Sequence, residues 1–460
     1  MSRWLVILLT VALAARGQSF FQRGQYSDAE REYKAALVNC EPSQCAELPA
    51  ILNGLGSLYY ELGRYSDAEP LLLRAVERLS RTEGDRRLLA AALSNLAAVY
   101  RIRGRFDAAK SLYEQARSLQ ALDGGNRIDS ANLLARFALL TKDMGDLAGA
   151  EELIQSALAI FAQNGAEETA EGARALATWA VILESKGYPQ QAEQELTRAL
   201  TIRERISGLN DISVADALNS LGISYSHRNQ WADAESSLRR SVAILRLYPP
   251  SPLLAAALNN LGSVYRAQGR KKEAEDSIRQ AVSTWEQLLG PNHPNVAAGL
   301  TNLAASLETR GRYAEAASLL DRARGIDERN FPANHPRIGI DLSRAGALAA
   351  LRKRYVEAED LLRRADTILE AALPPTDPEV GAVLLTLADV LRLEKKLHLS
   401  AEMYKRGLAI MTAAWGQNDA RLAPLLDRYV SVLRNQKEFA EAARLEIQAT
   451  RIRVTKTIRN

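Results

Sequence analysis

The side chains that could do catalytic chemistry are few, and their spacing does not suit it. The chain has four histidines (His227, His293, His335 and His398), and no two of them have the four-residue helical spacing of a zinc hydrolase. The sequence has no glycine-rich phosphate loop and no Gly-x-Ser-x-Gly elbow that would activate a serine. We therefore predict that the protein is not an enzyme, binds no metal and needs no cofactor.

Two cysteines, Cys40 and Cys45, lie in the Pro-containing segment VNCEPSQCAEL with four residues between them. Redox motifs have a gap of two residues, and a four-cysteine zinc site needs more cysteines than the chain has. In an exported protein a disulfide would close this short loop, whereas in the cytosol both residues would be thiols. The predicted disulfide therefore depends on export.

The first residues, MSRWLVILLTVALAARGQSF, have the order of features of a secretory signal peptide. Arg3 precedes an apolar run from Trp4 to Ala15 that contains a small-x-small site. The run is shorter than the roughly 20 residues of a membrane-spanning helix, so no membrane span is expected after cleavage. We predict a signal peptide at 1–14, a mature chain at 15–460, and export to the periplasm or the cell surface. Alternatively, the segment is the buried first helix of a cytoplasmic protein.

The composition argues against two other classes of protein. Hydrophobic residues make up 47% of the 460 residues, which is enough to drive burial and to make long disorder unlikely. A net charge of +4 is too small to indicate a nucleic-acid partner. The basic C-terminal segment TRIRVTKTIRN fits the polar face of a final helix, whose C-terminus favours cations.

The most informative feature is a pattern that recurs about every 41 residues. In each repeat, Leu and a small residue precede a turn residue, and in most an aromatic residue and an alanine follow it. The turn position falls at Gly24, Gly63, Gly104, Gly145, Gly187, Asn229, Gly269, Gly311, Lys353, Lys395 and Lys437. About eleven repeats therefore fill the chain and leave no room for a separate catalytic domain.

Each repeat predicts two helices. Apolar residues such as Leu254 and Leu258 have helical spacing before the turn, as Ala274 and Ile278 do after it. Glycine at the turn permits the left-handed backbone that ends the first helix. The alanine five residues after the turn lets the two helices approach closely, and Ser400 replaces it once. These alanines are Ala68, Ala109, Ala150, Ala192, Ala234, Ala274, Ala316, Ala358 and Ala442.

The pattern resembles the tetratricopeptide repeat (TPR), in which Leu and Tyr precede the turn glycine and an aromatic and Ala follow it. The usual period of this repeat is about 34 residues, and the period here is longer. The longer period looks like the kinesin-light-chain type of the repeat, as do the segments LNNLG and GPNHPNVAAGLTNLA. The resemblance covers residues 15–460, although lysine replaces glycine at the last three turns. It implies an all-α fold, a right-handed superhelical solenoid of about eleven helix-turn-helix repeats.

The same resemblance implies a concave groove lined by the first helices, where asparagines hydrogen-bond the main chain of a bound peptide. An amide both donates and accepts, which suits a peptide group. The matching residues lie one or two positions before the repeat leucine: Asn53, Asn95, Asn219, Asn259, Asn260 and Asn302. Because side chains at two adjacent helix positions cannot all point the same way, some of these amides are expected to bind neighbouring helix or loop groups instead.

Basic residues recur on the same helices. Three residues before the turn, five of ten repeats carry Arg or Lys, among them Arg101, Arg266 and Arg392. In the register of Asn260, three repeats carry arginine: Arg136, Arg344 and Arg428. Arginine can bind a carboxylate through two parallel hydrogen bonds, so we predict protein or peptide partners of acidic character. A solvated helix face would carry similar residues.

These features predict a non-catalytic scaffold that binds peptide segments or partner proteins in a concave groove, as part of an exported assembly. Two alternatives remain open. A cytosolic TPR regulator would hold a peptide signal in the same groove and keep its first residues. A self-associating structural array would instead bind copies of itself through its end helices.

Overall fold

The computed structural model describes residues 3–22, 25–43, 45–81, 85–122 and 127–459. In these ranges the chain forms twenty-two α-helices, one 3-10 turn (Glu41–Ser43) and no strand. Gly24, an expected turn residue, lies outside them. The helices are α1 (Arg3–Gln22), α2 (Tyr26–Cys40), α3 (Leu48–Glu61), α4 (Tyr65–Arg81), α5 (Arg86–Ile102), α6 (Phe106–Leu122), α7 (Arg127–Asp143), α8 (Leu147–Gln163), α9 (Ala170–Ser185), α10 (Pro189–Ser207), α11 (Ile212–His227), α12 (Trp231–Leu245), α13 (Pro252–Ala267), α14 (Lys271–Leu289), α15 (Pro294–Glu308), α16 (Tyr313–Asn330), α17 (Pro336–Leu351), α18 (Tyr355–Ala372), α19 (Pro378–Leu393), α20 (Leu397–Trp415), α21 (Leu422–Asn435) and α22 (Phe439–Arg459).

The helices pack as consecutive pairs in two compact units, an N-terminal unit (Met1–Val296) and a C-terminal unit (Ala297–Asn460). In the N-terminal unit the pairs run from α1 with α2 to α13 with α14. In the C-terminal unit α17 packs on α18, α19 on α20, and α21 on α22. The predicted all-α architecture of helix-turn-helix repeats is confirmed.

Successive pairs stack in a regular way within each unit. The second helix of a pair packs on the first helix of the next, as α4 does on α5 and α18 on α19. Successive first helices also contact one another: α3 and α5, α5 and α7, α7 and α9, and, in the C-terminal unit, α17 and α19. Because a single pair cannot bury its apolar face alone, this stacking gives a core that runs from pair to pair.

The turn between the helices of a pair follows the predicted positions. Gly269 has φ +77°, its N–H binds the carbonyl of Arg266 (3.0 Å), and Arg270 N–H binds the carbonyl of Tyr265 (2.8 Å). These bonds satisfy carbonyls that the helix end leaves without partners. The substitutes adopt the same left-handed backbone: Asn229, Lys353, Lys395 and Lys437.

The alanines after the turn are buried, as the close approach of paired helices requires. Ala274 is 0% exposed, and a Cβ at the facing Gly262 would stand 2.5 Å from Ile278 Cγ1. Ser400 is accommodated at the same position because its hydroxyl donates to the carbonyl of Ala388 (2.8 Å). The aromatic residues next to these alanines are half-buried in most pairs, but Phe439 of the last pair is 63% exposed.

Polar side chains cap the start of several first helices. The carboxylates of Asp211 and Asp377 accept from the backbone N–H two residues later (2.8 and 2.9 Å). His293 and His335 do the same through Nδ1 (3.0 and 3.2 Å). Proline follows each histidine at the first helical position, where it costs no hydrogen bond. Capping therefore accounts for both His-Pro sequences.

The N-terminal segment forms α1, which packs on α2. Leu13 is 8% exposed, and Gly17 lies against the ring of Tyr33. The predicted cleavage after Ala14 would remove Arg3 to Ala14 from α1, and Met1 and Ser2 lie outside the described residues. The described part of the chain contains no helix that is both long and apolar enough to cross a membrane.

Cys40 and Cys45 are joined by a disulfide in the structure, with their Cα atoms 5.2 Å apart. Cys40 ends α2 and is fully buried, and its carbonyl accepts from the N–H of Cys45 (3.3 Å). The bridge therefore closes the connection between the first and second helix pairs.

Candidate peptide-binding surface

Three of the predicted groove residues form a ladder across the first helices α3, α5 and α7. Asn95 Nδ2 donates to Asn53 Oδ1 (2.9 Å), and Arg136 Nη1 donates to Asn95 Oδ1 (2.7 Å). All three side chains are half-buried. The repeat places one such residue on each successive first helix. These polar side chains therefore bind one another from helix to helix and remain partly exposed to solvent.

A second ladder crosses α11 and α13. Asn260 Nδ2 donates to Asn219 Oδ1 (3.0 Å). Asn219 and Asn259 are buried (8% and 7% exposed), whereas Asn260 and Asn302 are half-buried. Adjacent registers therefore differ in these pairs, with Asn260 and Asn302 nearer the solvent.

A cavity of about 450 Å³ opens beside the first ladder, between α5 and α7. Asn95, Asn132 and Arg136 line its wall, the end of α6 contributes Gln120, and α9 contributes Arg174. Gln120 Oε1 is buried without a hydrogen-bond partner. The lining also includes Arg86, Arg87, Asp85 and Asp129, so the cavity offers amide groups, four guanidinium groups and two carboxyl groups.

The charges around this cavity are of mixed sign. Burial raises the pKa of Glu61, which ends α3; Arg136 and Arg174 lower this pKa and Asp216 raises it, so the net shift is upward. The Glu61 side chain is still reached by solvent. Its carboxyl group is therefore within electrostatic reach of both guanidinium groups.

Arg101, another predicted groove residue, is engaged with the protein itself. Its Nη1 binds Asp143 Oδ2 at 2.6 Å, and 16% of its side chain is exposed. Burial alone would lower the pKa of Arg101, but Tyr60 and Asp143 raise it. The structure thus places Arg101 in a bridge between α5 and α7. Arg266 is half-buried on α13.

Arg392 belongs to a cluster in the C-terminal unit. Its Nη2 lies 3.5 Å from Asp389 Oδ1, and the same carboxylate binds Arg428 and accepts from the Tyr404 hydroxyl (2.5 Å). Asp389 is thus shared by two arginines from consecutive first helices. This cluster therefore has two guanidinium groups for one carboxylate.

Sequence reasoning missed Arg174 and Gln120. Arg174 stands thirteen residues before its turn, whereas the predicted basic residues stand three or nine residues before theirs. It reaches the cavity because α9 follows α7 in the stack. Gln120 carried a signal, because most repeats have an apolar residue sixteen positions after the turn. Among the described residues, no group of three or more His, Cys, Asp or Glu side chains could hold a metal ion.

Comparison with known proteins identifies the repeat. A family model of the tetratricopeptide repeat matches residues 47–121, 88–163, 171–246 and 253–329, together more than half of the chain. Comparison with curated proteins gives no significant match.

Solved structures similar to this chain include kinesin light chain-like proteins. BtubC (BKLC) from P. vanneervenii is 25% identical, with 50% of this chain and 91% of that chain covered and a TM-score of 0.40. A Podosopora anserina kinesin light chain protein with nearly identical TPR-like repeats is 22% identical, with 45% and 98% covered and a TM-score of 0.37. The apo form of RapI is 14% identical, with 80% and 99% covered and a TM-score of 0.50, a likeness of fold alone. With its repeats matched over most of their length, the chain belongs to the tetratricopeptide repeat family.

Proposed function

We propose that the protein is a non-catalytic scaffold that binds an extended, acidic segment of a partner protein along its first helices. The observation that carries the proposal is the cavity beside α5, in which Arg136 and Arg174 stand next to a ladder of amides. The amides of Asn95 and Asn132 could bind the main chain of the segment, and the guanidinium groups a carboxylate side chain.

Binding can be measured by fluorescence polarisation with two labelled peptide pools. Each pool has random sequences of about ten residues, which span about 33 Å when extended. One pool has two central glutamates and the other two central glutamines. We expect the glutamate pool to bind more tightly, and the Arg136→Gln change to weaken it about tenfold, because a hydrogen bond to a charged group contributes on the order of 1.5–3 kcal/mol.

The matched control removes the same charge from second helices. Arg239→Gln on α12 and Arg444→Gln on α22 alter side chains that are 65% and 73% exposed. These variants should bind the glutamate pool as the unaltered chain does. Equal binding of both pools, or an equal loss in the control variants, would contradict the proposed site.

Glu61 supplies a test of opposite sign. Its carboxylate lies within electrostatic reach of Arg136 and Arg174 and would repel an acidic ligand. Glu61→Gln should therefore tighten binding of the glutamate pool severalfold and leave the glutamine pool unchanged. A weaker glutamate complex in this variant would place the ligand elsewhere.

We also propose that the scaffold is exported and works in an extracytoplasmic assembly. The proposal is supported by the N-terminal sequence pattern and by Cys40 and Cys45, whose pairing suits an oxidising compartment. The full chain, expressed in a bacterial host, should be recovered from the envelope with a new N-terminus near Ala15 and without titratable thiols. A protein that retains Met1 and stays in the cytosol would favour the cytosolic peptide regulator instead.

A further inference from the structure

The C-terminal unit contains two carboxyl groups buried against each other between α16 and α17. Asp327 is 1% exposed and Asp341 is 8% exposed, and each carboxyl group affects the ionisation of the other. Asp327 Oδ1 and Asp341 Oδ2 are both buried without a hydrogen-bond partner. A proton held between these two oxygens would satisfy both of them.

Both residues stand where other helix pairs have core side chains. Asp327 is sixteen residues after its turn, and the equivalent residues in seven pairs are apolar and buried: Cys40, Leu79, Phe161, Leu245, Trp285, Leu369 and Met411. Asp341 is twelve residues before its turn, where buried equivalents are Ile51, Ala92, Leu133, Ala175, Ala217, Ala257 and Val383. Two carboxyl groups thus replace apolar contacts at the same joint between helix pairs.

Among the contacts of the described residues, one guanidinium group lies close to the two carboxyl groups. Arg337 Nε lies 3.1 Å from Asp327 Oδ2, and Arg344, also on α17, is more distant and solvent-exposed. Elements packed against α17 add little: Ala365 and Leu369 of α18 face Gly339, and Glu379 of α19 acts on Arg344. His335 stacks on Phe331 at the edge of the site, with ring centroids 4.5 Å apart.

These surroundings disfavour ionisation of the second carboxyl group. Burial, together with the Asp327 carboxylate, raises the pKa of Asp341 to about 7, against the opposite effect of Arg337. Burial also raises the pKa of Asp327. Because the two groups interact strongly, the proton belongs to the pair.

Near the turns, the ion pairs between α16 and α17 differ from those between α18 and α19. Between α18 and α20, Lys396 binds Glu359, six residues after the preceding turn. At the joint of α16 and α17 the position of Glu359 is taken by Ala317, and Arg354 instead binds Glu357 of its own helix pair (2.6 Å). Since an alanine cannot form an ion pair, the equivalent of the bridge between Lys396 and Glu359 is missing at this joint.

We propose that Asp327 and Asp341 make the joint between α16 and α17 a proton-controlled switch. With one shared proton the joint is closed. When the proton leaves, two adjacent carboxylates face a single close guanidinium group, and their repulsion loosens the packing of α17. Since α17 also carries Arg344 and packs on α19, loosening would alter the first-helix wall of the C-terminal unit.

Hydrogen exchange of the full chain, read by mass spectrometry, tests the switch. Asp341 binds its proton more tightly in the folded than in the unfolded chain. The stability that this proton contributes is therefore fully present below about pH 4 and is lost as the pH rises through about 7. After correction for the intrinsic exchange rate, protection of α17 amides should drop at least about tenfold from about pH 5.5 to about pH 8.5.

Asp341→Asn should abolish this drop, because the amide can donate to Asp327 and adds no charge. If that variant fails to fold, Asp341→Val, which restores the residue type of Val383, serves the same purpose. The control Asp360→Asn alters a carboxylate on α18 that is 71% exposed and should keep the drop. Equal protection of α17 at both pH values, or a drop that persists in both Asp341 variants, would overturn the proposal.

Discussion

Lys353, Lys395 and Lys437 hold a backbone conformation that lysine rarely adopts. Their φ angles lie between +61° and +66°, in the left-handed region. At Lys395 the helix end makes the same bonds as at the glycine turns: Lys395 N–H binds the carbonyl of Arg392 (3.1 Å) and Lys396 N–H that of Leu391 (2.9 Å). The packing of the helix pair therefore fixes the turn even where the residue opposes it.

Replacing one of these lysines should relieve the strain. Lys395→Gly is expected to stabilise the protein by about 0.5–1 kcal/mol, because the left-handed penalty exceeds the entropy that glycine loses on folding. Gly269→Lys is the reverse change; its Cβ would meet no atom within 4 Å, so only the backbone cost remains. Urea unfolding should give shifts of opposite sign for the two variants. Destabilisation by Lys395→Gly would mean that the lysine side chain contributes an unrecognised contact.

Residues differ in how far the sequence alone determines their role. The turn positions were predictable because the left-handed backbone is a local steric requirement, and glycine recurs at this position in most repeats. The contact between Arg136 and Asn95 was not, because it joins residues 41 positions apart and depends on how adjacent helices are rotated. Asp327 and Asp341 did carry a signal, since both interrupt an apolar register.

At the scale of helices, charged residues recur where one pair meets the next. Glu235 of α12 binds Arg270 beside the following turn (2.8 Å), and the Arg270 guanidinium lies 4.1 Å from the centre of the Tyr265 ring. Glu69, Arg105 and Tyr100 repeat this arrangement. Such partly exposed pairs contribute little each, so the buried faces of the helices must provide most of the stability.

The α12 helix offers a matched test of that conclusion. Ala234 is 0% exposed and Ala232, two residues earlier, is exposed. Ala234→Asp should destabilise by about 3 kcal/mol or more, because it forces an unpaired carboxylate between packed helices. Ala232→Asp should change stability by less than about 0.5 kcal/mol, since an acidic residue suits the first turn of a helix. Equal unfolding midpoints for the two variants would contradict the assigned packing.

At the scale of the molecule, α22 carries charged residues at positions that are apolar in most other second helices. Glu446 stands nine residues after its turn, where Leu72, Ile278 and Tyr404 are fully buried. Arg434 donates to Glu446 (2.8 Å), and Arg453 binds Asp427. A second copy packed against α22 would have to remove these charges from water, which is costly. The arrangement argues against a self-associating array built through α22.

Apolar substitutions should reverse this property of α22. Glu446→Leu with Arg453→Leu restores the residue types that stack inside the array, so the double variant should associate as its concentration rises in sedimentation experiments. The control, Glu441→Leu with Arg444→Leu, changes the same residue types at positions that are 40% and 73% exposed. It should sediment as the unaltered chain does, because its new leucines do not lie in the stacking register. If neither variant associates, the charges on α22 do not limit self-association, and the ion pairs there would serve only the last helix pair.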